Sequence, residues 1–187
     1  TVKPYAACSD IRPMIQAAAE LRTIHRIVPD RIVRIDAEGP TKAATQNDID
    51  GTVSVMAAQY SAQFNIAAAL IADPSDPATY DPANLTNPAL GALQAKVATV
   101  TAAAEFDETY AWKVGGRVRI TLDDGSVLER TVIGQKGSMH SPLTPAELDQ
   151  KFTGLVGAHR ARHLTAAIRT LGAADIDSLS SALRQTE

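Results

Sequence analysis

A small set of side chains in this sequence could carry chemistry. His159 and His163 lie four residues apart in a helical stretch, which turns both imidazoles to one face where they could share a metal ion. A catalytic zinc site takes a third protein ligand, and spacing offers none. Within the basic run His159-Arg160-Ala161-Arg162-His163, a solvated or interface face is the plainer reading, and no metal is assigned. Cys8 could be a nucleophile paired with a distant histidine, although a lone cysteine near the start of an alanine-rich helix is more commonly a small packed residue. Asp123-Asp124-Gly125 opens like a calcium loop but lacks the remaining ligands. It suits the tight turn of a hairpin better. The sequence contains no GxGxxG fingerprint, no phosphate-binding Gly-Lys-Ser/Thr loop and no GxSxG elbow. No cofactor is expected.

The elements that would position these groups can be read from hydrophobic period and breakers. Met14, Ala17, Ala18, Leu21 and Ile24 recur at helical spacing, predicting a helix over residues 14–27 that Pro29 and Asp30 stop. Residues 31–36 are short and β-branched and read as a strand, and 37–52 as a loop. Tyr60, Phe64, Ala67, Ala68 and Ile71 share a face of a helix over 54–71. Four prolines between 73 and 88 mark an irregular surface connection. A short helix over 87–95 and a strand over 96–101 follow. Residues 117–122 and 127–133 alternate apolar and polar around the Asp-Gly turn and form a hairpin. Thr144-Pro145-Ala146-Glu147 carries a capping box with proline in the first helical position, opening a helix that runs to about Gly157. Two more helices are predicted near 160–171 and 178–183. The class is therefore α+β, with a small antiparallel or mixed sheet and a purely helical carboxy-terminal layer.

Composition narrows the function further. The chain has 187 residues, 18 Lys+Arg against 21 Asp+Glu and a net charge of −3, which argues against a nucleic-acid binder. No apolar run approaches the roughly 20 residues of a membrane span. One cysteine excludes an intrachain disulfide framework and points to a reducing, cytoplasmic setting. Aromatics are only 4%, so a core must rely on aliphatics and closely packed alanines. The start, Thr1-Val2-Lys3-Pro4-Tyr5, has neither an initiator methionine nor a signal peptide and reads as if entered mid-protein.

At Lys3-Pro4-Tyr5-Ala6-Ala7-Cys8, followed by an Ala- and Leu-rich helix, the chain resembles the carboxy-terminal half of the MmgE/PrpD family, which includes 2-methylcitrate dehydratase, cis-aconitate decarboxylase and iminodisuccinate epimerase. Three further blocks match in order. The family's Ala-Gln-Phe-Ser block before an alanine-rich helix is similar to Ala62-Gln63-Phe64-Asn65; its strand–DG–strand hairpin is similar to residues 117–133. Its Lys-Gly, Asn-Pro-Leu-Ser/Thr-x-x-Glu-Leu and Lys-Phe elements resemble Lys136-Gly137, residues 141–148 with Ser141 in place of the asparagine, and Lys151-Phe152.

The resemblance implies an α+β domain over residues 1–137 and, over 138–187, helices that return to a large helical domain. That domain's amino-terminal half would come from outside this chain, and the active site would lie between the two. It also implies a small polycarboxylate substrate, a homodimer, and proton abstraction beside a carboxylate followed by dehydration, decarboxylation or epimerisation. Lys3 takes the family's active-site lysine position, as acid/base if desolvated or as a carboxylate binder if charged. A solvated chain-end lysine is the bland alternative. Arg12 stands where the family often has histidine, with Asp10 close by. An arginine clamps carboxylates bidentately but cannot act as a base near neutral pH, which adds weight to epimerase over dehydratase. Gln63 and Asn65 fall among the substrate-binding positions, Asn65 alternatively capping a helix restarting at Ile66. Lys136 and Gly137 are expected to be structural. A chain lacking its other half would be inactive alone and would expose Leu148, Phe152, Leu155 and Val156, self-associating or binding that half. A non-catalytic assembly module is the reading from a different class.

Overall fold

Met14, Ile15, Ala17, Ala18 and Leu21, the stripe that predicts the first helix, are all buried on α1 (Arg12–His25). Pro13 sits in its first turn, and Arg26 ends it in the left-handed conformation at φ 50°, before the predicted stop. A computed structural model describes residues 1–51, 54–169 and 176–184 and divides into two compact units, Thr1–Leu143 and Thr144–Glu187.

The first unit is built on a four-stranded sheet in the order β2-β1-β3-β4, from β1 (Ile32–Gly39), β2 (Thr101–Ala102), β3 (Gly115–Leu122) and β4 (Val127–Ile133). β3 pairs antiparallel with β1 and β4, and β2 pairs parallel with β1, so the sheet is mixed. A register shift between Ile32 and Arg34 leaves Val33 and Arg34 both exposed and then restores alternation, with Ile35 and Ala37 buried. The hairpin turns at Gly125, φ +81°, a conformation glycine adopts without strain. α1 lies against the sheet, packed on β3 and β4.

The predicted loop over 37–52 is partly regular. β1 continues to Gly39 and α2 (Thr41–Gln46) follows, while Thr52 lies outside the described residues. The single helix predicted over 54–71 is two, α3 (Val55–Tyr60) and α4 (Ala62–Ile71). They are broken at Ser61, whose hydroxyl caps α4 by accepting from Phe64 N at 3.0 Å. Residues Ala62 to Leu70 are all buried, and the alanines let α4 pack on α1 and on α6 (Pro88–Gln94) without large side chains between them. Between them, a 3-10 turn (Pro77–Tyr80) and α5 (Pro82–Leu85) each begin at a proline. The strand predicted over 96–101 reduces to a bridge from Val97 to Ile35, with β2 starting only at Thr101. α7 (Ala104–Asp107) precedes β3.

The second unit holds α8 (Pro145–Val156), α9 (Ala158–Arg169) and α10 (Ile176–Arg184). Thr144 and Glu147 close the predicted capping box, Thr144 N donating to Glu147 Oε2 at 2.7 Å. The predicted end of α9 at 170–171 lies outside the described residues. Leu148 and Leu155 are 47% and 56% exposed, and Phe152 and Val156 are half-buried.

Candidate functional site

The start of α1 gathers charge. The 3-10 turn Ser9–Ile11 leads into Arg12, placing Cys8, Asp10 and Arg12 on consecutive turns of chain. Arg12 is 2% exposed, and its Nε and Nη1 have no hydrogen-bond partner among the described residues. A buried cation is costly unless paired. Burial accordingly lowers the guanidinium's pKa, while Cys8 and Asp10 pull it back up. An arginine stays charged through such a shift. Two buried N–H donors on a cation, unmatched by the protein, make a site that an anion would satisfy.

Asp10, itself buried, is shared by a tyrosine and a lysine. Its Oδ1 accepts from the Tyr110 hydroxyl at 3.2 Å, and its Oδ2 lies 3.8 Å from Lys42 Nζ. The Lys42 ammonium is 5.7 Å from the centre of the Tyr110 ring. Its pKa is raised, first by hydrogen bonding to Tyr110 and then by the Asp10 charge. Cys8 Sγ is 4.0 Å from Asp10 Oδ2 and 3.9 Å from Asn47 Oδ1.

The groups around Asp10 come from separate segments, and hydrogen bonds hold those segments together. Thr41 N and Oγ1 both donate to Asp107, at 2.7 and 2.6 Å, fixing the start of α2, and so Lys42, to α7. The same two bonds hold the Asp107 carboxyl below its usual pKa. Asn47 is fully buried and donates from Nδ2 to Tyr60 O at 2.8 Å, while Cys8 N donates to Gln59 O at 2.9 Å. The cluster is thus stitched to the end of α3.

The structure places the sequence-predicted residues in three places. Arg12 is in the cluster. Lys3 is exposed, with Nζ donating to Ala7 O at 3.3 Å. Its segment is pinned by Val2 N donating to Gly137 O at 2.9 Å. Gly137 has φ +81°, and a Cβ there would stand 1.9 Å from Val2 O, so the Lys-Gly element anchors the strip that carries Lys3. Gln63 and Asn65 make their hydrogen bonds elsewhere. Gln63 Nε2 donates to Asp48 and its Oε1 accepts from Ile49 N at 3.2 Å, bracing a loop. Asn65 Nδ2 donates to the carbonyls of Ala58 and Ser61, both at 2.7 Å, and its Oδ1 accepts from Tyr80 at 2.6 Å. The amide reaches back to hold α3 against α4. The helix restart expected at Ile66 lies four residues earlier, at Ala62, where Ser61 caps it.

That break also shifts the second sequence block. Ala58-Gln59-Tyr60-Ser61 has the order Ala-Gln-aromatic-Ser with its serine in place, and it directly precedes alanine-rich α4. Its carbonyls at Gln59 and Tyr60 are the ones that receive Cys8 and Asn47, so in this register the first two blocks touch. A serine heading an apolar run was the available signal. Lys42, Asn47 and Tyr110 carried none, since each lies in a short loop or helix far from Arg12 in sequence.

His159 and His163, in the second unit, are both exposed with ring centres 4.5 Å apart. Among the described residues, no group of three His, Cys, Asp or Glu is placed to hold a metal ion, and no described helix is long and apolar enough to cross a membrane.

A family model described as the MmgE/PrpD C-terminal domain matches residues 5–173, a span that includes every member of the Asp10–Arg12 cluster and begins two residues after Lys3. No curated protein matches the chain.

Proposed function

The chain belongs to the MmgE/PrpD family, and from that footing we propose that it is the carboxy-terminal part of a cofactor-independent lyase that dehydrates a small polycarboxylate such as 2-methylcitrate. The observation that carries this reading is the buried Arg12 guanidinium with two unmatched donors beside Asp10. Arg12 would hold one substrate carboxylate through a charge-assisted hydrogen bond from one of its unmatched donors. That contact stabilises the charge that builds on the carboxylate when the neighbouring carbon loses its proton. The electron pair left on carbon forms the double bond as hydroxide departs, protonated to water. Lys3 would deliver or accept a proton, the role its position in the family pattern implies.

The remaining residues of the site would come from a helical amino-terminal half that the second unit joins. The exposed Leu148 and Leu155 give that half an apolar surface to cover. A cytoplasmic homodimer serving propionate catabolism completes the reading. Epimerisation or decarboxylation within the same family is the second reading, supported by an arginine where the family often has histidine. An arginine binds but does not shuttle a proton at neutral pH. A non-catalytic assembly module lacking the catalytic half is the reading from outside enzymology.

The test is to incubate the complete enzyme with 2-methylcitrate and follow the absorbance of the new alkene. Turnover that Lys3→Ala reduces by about a hundredfold supports the dehydratase, within the range of general acid–base contributions. No absorbance change from a folded enzyme removes the dehydratase and leaves the epimerase.

A further inference from the structure

Resting on the reading that Arg12 takes a substrate carboxylate, we infer that Lys42, steered by Tyr110 and Asp10, is a second cation of the same site and selects substrates with two or more carboxylates over monocarboxylates. The cluster contains two cations, Arg12 and Lys42, and one carboxylate, Asp10. Tyr110 and Cys8 are its other titratable groups. Asp107, the neighbouring acid on α7, spends both oxygens on Thr41. A monocarboxylate on Arg12 balances the cluster's net charge, yet it leaves the Lys42 ammonium with only Asp10, 3.8 Å away, as an anionic partner.

Fold stability does not explain Lys42. Its side chain is 47% exposed and its nitrogen stands 3.8 Å from Asp10, a loose pair of a kind that contributes little to folding. Its placement is nonetheless fixed from three sides. Thr41 is tied to Asp107, the ammonium lies at the Tyr110 ring, and Tyr110 is tied to Asp10. A flexible lysine held by neighbours that it does not stabilise is preorganised, which lowers the entropy lost when an anion binds. Arg12 lies buried and Lys42 at the surface, which fits a short chain bearing one carboxylate inward and a second outward.

The inference is tested by calorimetry on the chain with tricarballylate and with propionate as probes, using Lys42→Gln, Lys42→Arg and Tyr110→Phe, each checked for native circular dichroism. Lys42→Gln is expected to weaken tricarballylate by about tenfold, a typical charge-assisted contact, and to leave propionate within about twofold. Lys42→Arg should restore the preference, and Tyr110→Phe should reduce it in part by loosening the ammonium. Equal weakening of both probes, or of neither, overturns the role of Lys42. If Arg12→Met abolishes binding of both probes while Lys42→Gln changes neither, the carboxylate site stands and this inference alone falls. A wild-type chain that binds neither probe overturns both.

Discussion

The hydroxyl of Tyr110 donates to Asp10 Oδ1 at 3.2 Å, joining residues 100 positions apart. The bond closes the loop between α7 and β3 onto the start of α1. It puts the aromatic ring beside Lys42 and a hydroxyl donor on a carboxylate that already pairs with that lysine. This closure brings the ring to Asp10, and the Thr41–Asp107 bonds bring Lys42 to the same carboxylate.

Arg12 is expected to cost stability. Replacing it by methionine keeps much of the shape and removes a buried cation with two unmatched donors. Arg12→Met should leave unfolding free energy unchanged or raise it by about 1 kcal/mol, as replacements of buried charge by apolar groups do. Urea denaturation measures this. A loss of more than about 2 kcal/mol would mean that the guanidinium is well paired.

Gly137→Ala should free the chain start. The new Cβ would collide with the Val2 carbonyl and add strain at φ +81°, costing about 1–3 kcal/mol locally. Hydrogen exchange at the Val2 amide, now bonded to Gly137 O, should accelerate. Unchanged protection there would show that the strip carrying Lys3 is held by something else.

Tyr80 gives a pH signature. Burial pushes its hydroxyl well above the usual tyrosine value, and burial first, then the Glu20 and Asp73 charges, lifts Tyr5 to about 12. The folded values exceed the unfolded one, so the stability they confer is complete below about pH 10 and is lost as the pH climbs toward the folded values. Tyr80→Phe removes a 2.6 Å bond to Asn65 and should cost about 1–3 kcal/mol at pH 7. It should also flatten, without abolishing, the decline in stability above pH 10, since Tyr5 remains. Denaturant midpoints from pH 7 to 11 test this, and an unaltered slope in the variant would contradict it.

A chain ending at Leu143 should fold alone. Among the described residues, the continuous core from Ala7 to Val132 is built from residues of the first unit. Residues 1–143 are expected to give a single cooperative thermal transition; a gradual, non-cooperative one would show that the core depends on the helices beyond it.

Much of the fold was legible because its signals are local. The stripe on α1 gives a buried face, the Asp-Gly turn gives the hairpin, and Thr144 with Glu147 gives the cap of α8. The break at Ser61 was harder, since Tyr60, Phe64 and Ile71 keep helical phase across it and only the serine hydroxyl marks the change. Val97 illustrates the converse, a β-branched stretch that tertiary packing leaves as one bridge rather than a strand. The site was half legible. Arg12 carries a sequence signature, whereas Lys42, Asn47 and Tyr110 reach it through loop closures that no short-range pattern encodes. Asn65 was expected to bind substrate because it stands where the resembling block has serine, and its amide donors go to Ala58 and Ser61.

The most direct test of the carboxylate site is calorimetric titration of the chain with tricarballylate at neutral pH, wild type beside Arg12→Met. The account predicts exothermic one-site binding to the wild type, weakening as salt rises, and no detectable binding to an Arg12→Met variant with native circular dichroism. Equal affinity in the two proteins would contradict it.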